Sequence, residues 1–165
     1  MYLLDTFVLA ELRKAKAGQT DAGLTRWGAG VGRERLFMSA ISLLELQSAV
    51  AELARKDRAA GEAAEAWLGN QVIPAFEGRI LPVDAAVVRR RAKLGYSDPR
   101  DALIAATALE HGLTLVTRNV AAFRIGRVKL LNPWGFEPPV EEEDADWRQA
   151  SRAGPAWLKN LFVRG

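Results

Sequence analysis

The stretch SDPRDALIAATALEHGLTLVTRN, residues 97–119, reads as a helix, a glycine stop and a buried strand in immediate succession. Asp98 before Pro99 has the form of an N-cap followed by proline at the first helical position, where the missing N–H costs nothing. Leu103, Ile104 and Thr107 follow at helical spacing and mark an apolar face. Gly112 ends the helix, and Thr114–Thr117 is an apolar, β-branched strand that runs out into Arg118 and Asn119. A helix leading directly into a short apolar strand is the unit from which helix-covered parallel sheets are built.

The same alternation extends in both directions. Tyr2–Leu4 is a first strand ending in Asp5. Phe7 to Lys16 is a helix with Leu9 and Leu12 inward and Glu11, Arg13 and Lys14 outward. After the polar break Lys16–Asp21, Ala22–Trp27 starts a short helix and Leu36–Ser39 is strand two. Ser42 opens a helix through Leu43, Leu46, Val50 and Leu53. Another runs from about Ala60 to Phe76 on Ala63, Trp67, Val72 and Phe76, and Gly78 stops it. Arg79–Val83 is strand three, Asp84 caps a helix reaching about Leu94, and Arg127–Leu131 is a fifth strand. The fold expected is a three-layer α/β/α sandwich around a mostly parallel sheet of four to five strands, its strand C-termini along one edge.

The composition narrows the class of protein. A chain of 165 residues with 49% hydrophobic content is long enough to bury one substantial core. No apolar run reaches the roughly 18 residues that span a bilayer, and MYLLDTFVLAELRK lacks the basic start of a secretory signal, so no membrane is expected. The absence of cysteine excludes disulfides and thiolate metal sites, and a cytoplasmic location is the expectation. The net charge of +3 is uneven: residues 137–165 hold six acids and four bases, leaving a more basic body over 1–136 that would attract phosphates.

Within that basic body, acids stand where strands stop or helices begin: Asp5 in LLDTF, Glu45 in SAISLLELQSAV and Asp101 in SDPRDALIAATA. Such positions gather at the sheet edge where α/β folds bind ligands, and carboxylates meeting there repel unless a divalent cation intervenes. Asp5 also suits an N-cap, a role Thr6 could share. Glu45 fits the S-x-x-E capping box begun by Ser42. Asp101 falls in a first helical turn, where the helix dipole favours it. Asn119 adds a fourth polar group at the same edge, or else marks a turn, and Thr117 and Arg118 beside it are candidate phosphate contacts. His111, the sole histidine, sits at a helix C-terminus as a structural residue. Zinc and a serine triad have nothing to rest on, and GAGVGRE at 28–34 follows no strand.

Taken together and in order, LLDTFVLAELRK, SAISLLELQSAV, GRILPVD, DALIAATALEHGLTLVTRN and LLNPWG resemble the PIN-domain ribonucleases, and among them the VapC/FitB-type toxins of bacterial toxin–antitoxin pairs. The resemblance covers about residues 1–136. It implies an α/β/α domain that cleaves RNA with Mg²⁺ or Mn²⁺, commonly dimerises and is silenced by a cognate antitoxin. It places the metal ligands on Asp5, Glu45 and Asp101, with Asn119 at the fourth catalytic position. Hard carboxylate oxygens suit those ions.

The chain departs from the family pattern at three places. Phe7 stands where asparagine is usual, and Ala122 in TRNVAAF stands where an acid is usual. The third departure is the continuation over 137–165, an acidic linker and then DWRQASRAGPAWLKNLFVRG. That peptide is either a disordered extension or an antitoxin-like segment. In the second case Trp157, Leu158, Leu161 and Phe162 would dock, and Arg152 or Arg164 would approach the acids. Arg13, Lys14 and Arg118 are the candidate phosphate contacts. The alternative to a nuclease is a catalytically weakened PIN-like module that binds RNA or protein. A D-x-D-x-T phosphohydrolase is disfavoured, because Phe7 occupies the place of its second acid.

Overall fold

A computed structural model describes residues 1–14 and 19–137. Its centre is a five-stranded, wholly parallel sheet of β1 (Tyr2–Leu4), β2 (Leu36–Ser39), β3 (Ile80–Leu81), β4 (Thr114–Val116) and β5 (Leu130–Leu131), in the order β3-β2-β1-β4-β5. Between the strands run α1 (Thr6–Arg13), α2 (Ala22–Ala29), α3 (Ala40–Lys56), α4 (Arg58–Trp67), α5 (Ile73–Ala75), α6 (Ala85–Arg91), α7 (Pro99–Glu110) and α8 (Val120–Phe123).

Successive strand residues point to opposite faces, and this divides the core in two. Leu4 and Val116 join Val8, Leu9, Leu12, Leu24, Met38 and Leu46 on one side. Leu3 and Leu115 join Ile104, Ala105, Ala108 and Phe123 on the other. Leu3 and Leu4 are both fully buried, so the strand has no solvent face and reads as continuously apolar. Each such leucine contributes on the order of 1.5–3 kcal/mol of burial. The expected α/β/α sandwich is therefore present, with helices on both faces of the sheet.

Local signals place the helix starts well. Asp98 accepts from the backbone N–H groups of Arg100 and Asp101, and Asp84 accepts from Ala86 and Val87. Gly78 takes the left-handed conformation, φ +70°, that stops the preceding helical run. Two details differ from expectation. The helix of strand two's crossover begins at Ala40 rather than Ser42, because Ser39, at the end of β2, is its N-cap and accepts from Ser42 N–H at 3.0 Å. The run from Arg58 to Ala75 contains a π-helical turn at Leu68–Val72, and that wider turn keeps Ala64, Leu68, Val72 and Phe76 buried at four-residue spacing. Ala63 is accordingly exposed and Trp67 only half-buried. The end of the first helix beyond Lys14, and the tail from residue 138 with its docking and arginine candidates, lie outside the described residues.

Candidate active site

The chain order folds β1, β2 and β3 toward one side of the sheet and then returns to place β4 and β5 on the other. β1 and β4 thus meet at the point where the order reverses, the place where open α/β sheets leave a crevice beyond their strand ends. Asp5 leaves β1 there, tied into the sheet by its N–H donating to Val116 O at 3.0 Å. Asp101 enters from the first turn of α7. The two line one cleft of about 460 Å³ together with Phe7, Arg118, Asn119 and Phe123.

Asp5 is buried and fully engaged. Its Oδ1 accepts from Thr6 N–H at 2.7 Å, capping α1, and its Oδ2 accepts from the Thr117 hydroxyl at 2.7 Å. Burial raises its carboxyl above the ordinary value. The Thr117 and Thr6 hydrogen bonds pull the other way, and the charge of Glu45 adds to the rise. Asp101 is also raised, first by burial and then by the charges of Asp98, Asp5 and Glu45. Among the described residues its carboxylate has no hydrogen-bond partner.

Glu45 lies on α3 and does not line the cleft. Its Oε2 accepts from the Thr6 hydroxyl at 2.5 Å, which ties α3 to the start of α1, and its Oε1 stands 3.6 Å from the Arg100 guanidinium. The capping-box expectation for Glu45 is thereby corrected: with Ser39 as N-cap, Glu45 falls in the second turn and cannot reach back to the cap. Asn119 lines the cleft, yet its Oδ1 is committed to Ala122 N–H at 3.3 Å as the N-cap of α8.

The candidate phosphate contacts divide. Arg118 is exposed on the cleft. Thr117 is fully buried against Asp5 and is no surface contact. Arg13 lies over the Trp67 ring and Lys14 pairs with Glu11, and neither lines the cleft. His111 is the exposed C-cap residue of α7. The residues that sequence reasoning did not place are Thr6 in its link to Glu45, Arg100, and Trp134 beside Phe7. Their roles depend on contacts between distant segments, for which the sequence carries no local signal.

Donor type and charge decide whether these residues suit a divalent cation. All three acids offer hard oxygens, and two of them are held at raised affinity for protons by burial and mutual repulsion, a cost that a cation offsets. In donor chemistry they fit. They do not preform a cage: among the described residues no three acids stand close enough to ligate one ion.

The PIN domain family model matches residues 2–128. The chain belongs to the PIN-domain family. This PIN domain is 34% identical to toxin FitB of Neisseria gonorrhoeae, over 81% of the chain and 99% of the relative. It is 32% identical to a VapC ribonuclease of Sinorhizobium fredii, over 81% and 98%. It also superposes on the crystal structure of FitAcB from Neisseria gonorrhoeae with a TM-score of 0.73 at 32% identity, covering 81% of this chain and 99% of that one. Among the described residues no helix is long and apolar enough to cross a membrane.

Proposed function

We propose that this PIN domain is a divalent-metal-dependent endoribonuclease of the toxin type, with RNA as substrate and a cognate antitoxin as inhibitor. The carrying observation is that Asp5 and Asp101, far apart in the sequence, share one cleft at the β1–β4 switch point with the exposed Arg118. The VapC ribonuclease and FitB toxin relatives support the reaction class, and a cognate antitoxin and a homodimer are the partners proposed.

Asp5, Glu45 and Asp101 would hold Mg²⁺ or Mn²⁺, and the bound ion would acidify a water and offset charge on the phosphate under attack. The chain supplies the rest. Thr117 and Thr6 hold Asp5 and Glu45 in defined orientations, and closing the three carboxylates on one ion would still require Glu45 and Asp101 to move toward Asp5. Arg118 offers its guanidinium to a phosphate oxygen at the mouth of the cleft. Asn119 keeps its amide nitrogen for water or phosphate while its oxygen caps α8.

The test is cleavage of a structured RNA in Mn²⁺ by the full chain and by Asp5→Asn and Asp101→Asn. Cleavage by the natural chain that is lost in both variants is expected. Equal cleavage by all three would identify a contaminating nuclease and overturn the reading. Binding of RNA without any metal-dependent cleavage would mark a weakened binding module instead.

A further inference from the structure

Phe7 is the one aromatic side chain among the described large hydrophobics that stand exposed, at 45%, and it lines the acidic cleft. It lies on the outer face of α1, whose inward residues are Val8, Leu9 and Leu12, so the core has no use for it. Its ring centroid is 5.9 Å from that of Trp134, tilted by 46°. The Arg118 guanidinium lies 5.8 Å from the Phe7 ring and 5.7 Å from the Trp134 ring, sitting astride both. Among the described residues Arg118 has neither an ion pair nor a hydrogen bond, so its donor edges are available.

Trp134 does not line the cleft and acts from behind. It sits in the turn Asn132-Pro133-Trp134-Gly135, where Asn132 Oδ1 accepts from Trp134 N–H at 3.0 Å and Gly135 adopts φ +72°. That turn is pressed against Gly23, where an added Cβ would fall 2.5 Å from Gly135 N. The prop under Phe7 is therefore anchored to α2 rather than hanging from a free loop.

We infer that Phe7, propped by Trp134 and paired with Arg118, is a shelf that stacks one unpaired base of single-stranded RNA and holds the adjoining phosphate beside Asp5 and Asp101. An exposed ring accepts any base by its π-face, and a neighbouring planar cation extends the stack while attracting the backbone. A base inside a duplex already stacks on its neighbours and cannot reach the shelf, so the substrate strand is unpaired at this point. Phe7 and Arg118 are positioning residues that set which part of an RNA enters the cleft. The inference rests on the proposed nuclease reading for its choice of RNA.

The test is fluorescence anisotropy of the full chain with labelled hexa-adenylate and with an abasic ribose-phosphate chain of equal length, both in EDTA so that no cleavage intervenes. Phe7→Ala and Phe7→Leu should each weaken hexa-adenylate binding roughly tenfold, the loss of one stacked base, and leave the abasic chain unaffected. Phe7→Trp should restore binding, and Arg118→Ala should weaken both ligands. Melting temperatures equal to that of the natural chain, as expected for an exposed position, exclude misfolding. The shelf is overturned if Phe7→Ala binds hexa-adenylate normally, if it loses both ligands equally, or if the natural chain does not prefer hexa-adenylate to the abasic chain. A base-selective loss at Phe7 without any Mn²⁺-dependent cleavage would sink the nuclease reading and keep the shelf. Intact cleavage with unaltered binding by Phe7→Ala would do the reverse.

Discussion

Thr117 donates its hydroxyl proton to Asp5 Oδ2 at 2.7 Å, joining the ends of β4 and β1 across 112 positions of sequence. An ionised carboxylate can only accept, so the hydroxyl proton points at Asp5, while Asn119 N–H donates into the same hydroxyl oxygen at 3.0 Å. One side chain thus links the backbone after β4 to the carboxylate after β1.

Thr117→Val keeps the shape and deletes the bond. The Thr117 bond is the largest influence lowering the Asp5 carboxyl, so its removal sends that carboxyl further up. Since the ionised form is the one that works, Mn²⁺-dependent cleavage should fall about 10- to 100-fold. The acid limb of its pH–rate profile should move to higher pH. A lower rate with an unmoved acid limb would show that Thr117 acts on something other than the charge of Asp5.

Asp101→Asn should abolish cleavage and yet stabilise the metal-free protein. A carboxyl raised above its ordinary value of 3.8 supports the fold fully below that pH, and the support is lost as pH rises through the raised value. At pH 7 the natural chain therefore carries an ionisation cost that asparagine removes. Because the group is partly solvent-screened, a melting-temperature gain of about 1–2 °C in EDTA is expected. The gain should shrink toward zero as pH approaches 3.8, and a gain that persists there would refute the electrostatic cause.

Arg100→Ala removes the cation 3.6 Å from Glu45. The guanidinium is largely exposed, so the pair is worth roughly 0–1 kcal/mol and thermal melting should hardly move. With no arginine competing for Glu45, half-maximal cleavage should need about two- to threefold less Mn²⁺. A Mn²⁺ titration of cleavage checks this, and a requirement that rises would mean that Arg100 holds Glu45 in its working position.

Gly61→Ala tests the packing of α3 on α4. A Cβ there would lie 2.4 Å from both Cα and Cβ of Ala54, so the helices must separate. Overpacking of this kind costs about 1–3 kcal/mol, against a helix-propensity gain of at most ~1 kcal/mol. A melting temperature lower by about 2–5 °C is expected, and no change would mean the hairpin yields without strain.

The places where sequence reading succeeded share one property: their signals are short-ranged. Asp98 and Asp84 cap helices through backbone groups two or three residues away. Continuous apolar runs such as Leu3-Leu4 and Leu115-Val116 identify strands buried on both faces. Where local signals compete, the reading slipped. Ser39 and Ser42 are both plausible caps, and the choice depends on where β2 ends. Which of Ala63 and Ala64 faces inward depends on the face that α4 packs against α3, a contact between segments that no local signal marks.

The sequence by itself determined the alternation of strand and helix, the caps, and the placing of Asp5 and Asp101 at element ends, because each follows from neighbours within one helical turn. Glu45 was found as an acid that also fitted a capping box, and Ser39 as the N-cap of α3 removes only that capping fit. Only the tertiary structure decided that β1 lies beside β4 at the reversal of strand order, that Thr117 grips Asp5 and Thr6 grips Glu45, and that Trp134 stands behind Phe7. Strand order is set by how two hydrophobic faces are covered at once. That is a property of the whole packed chain, and no local stretch encodes it.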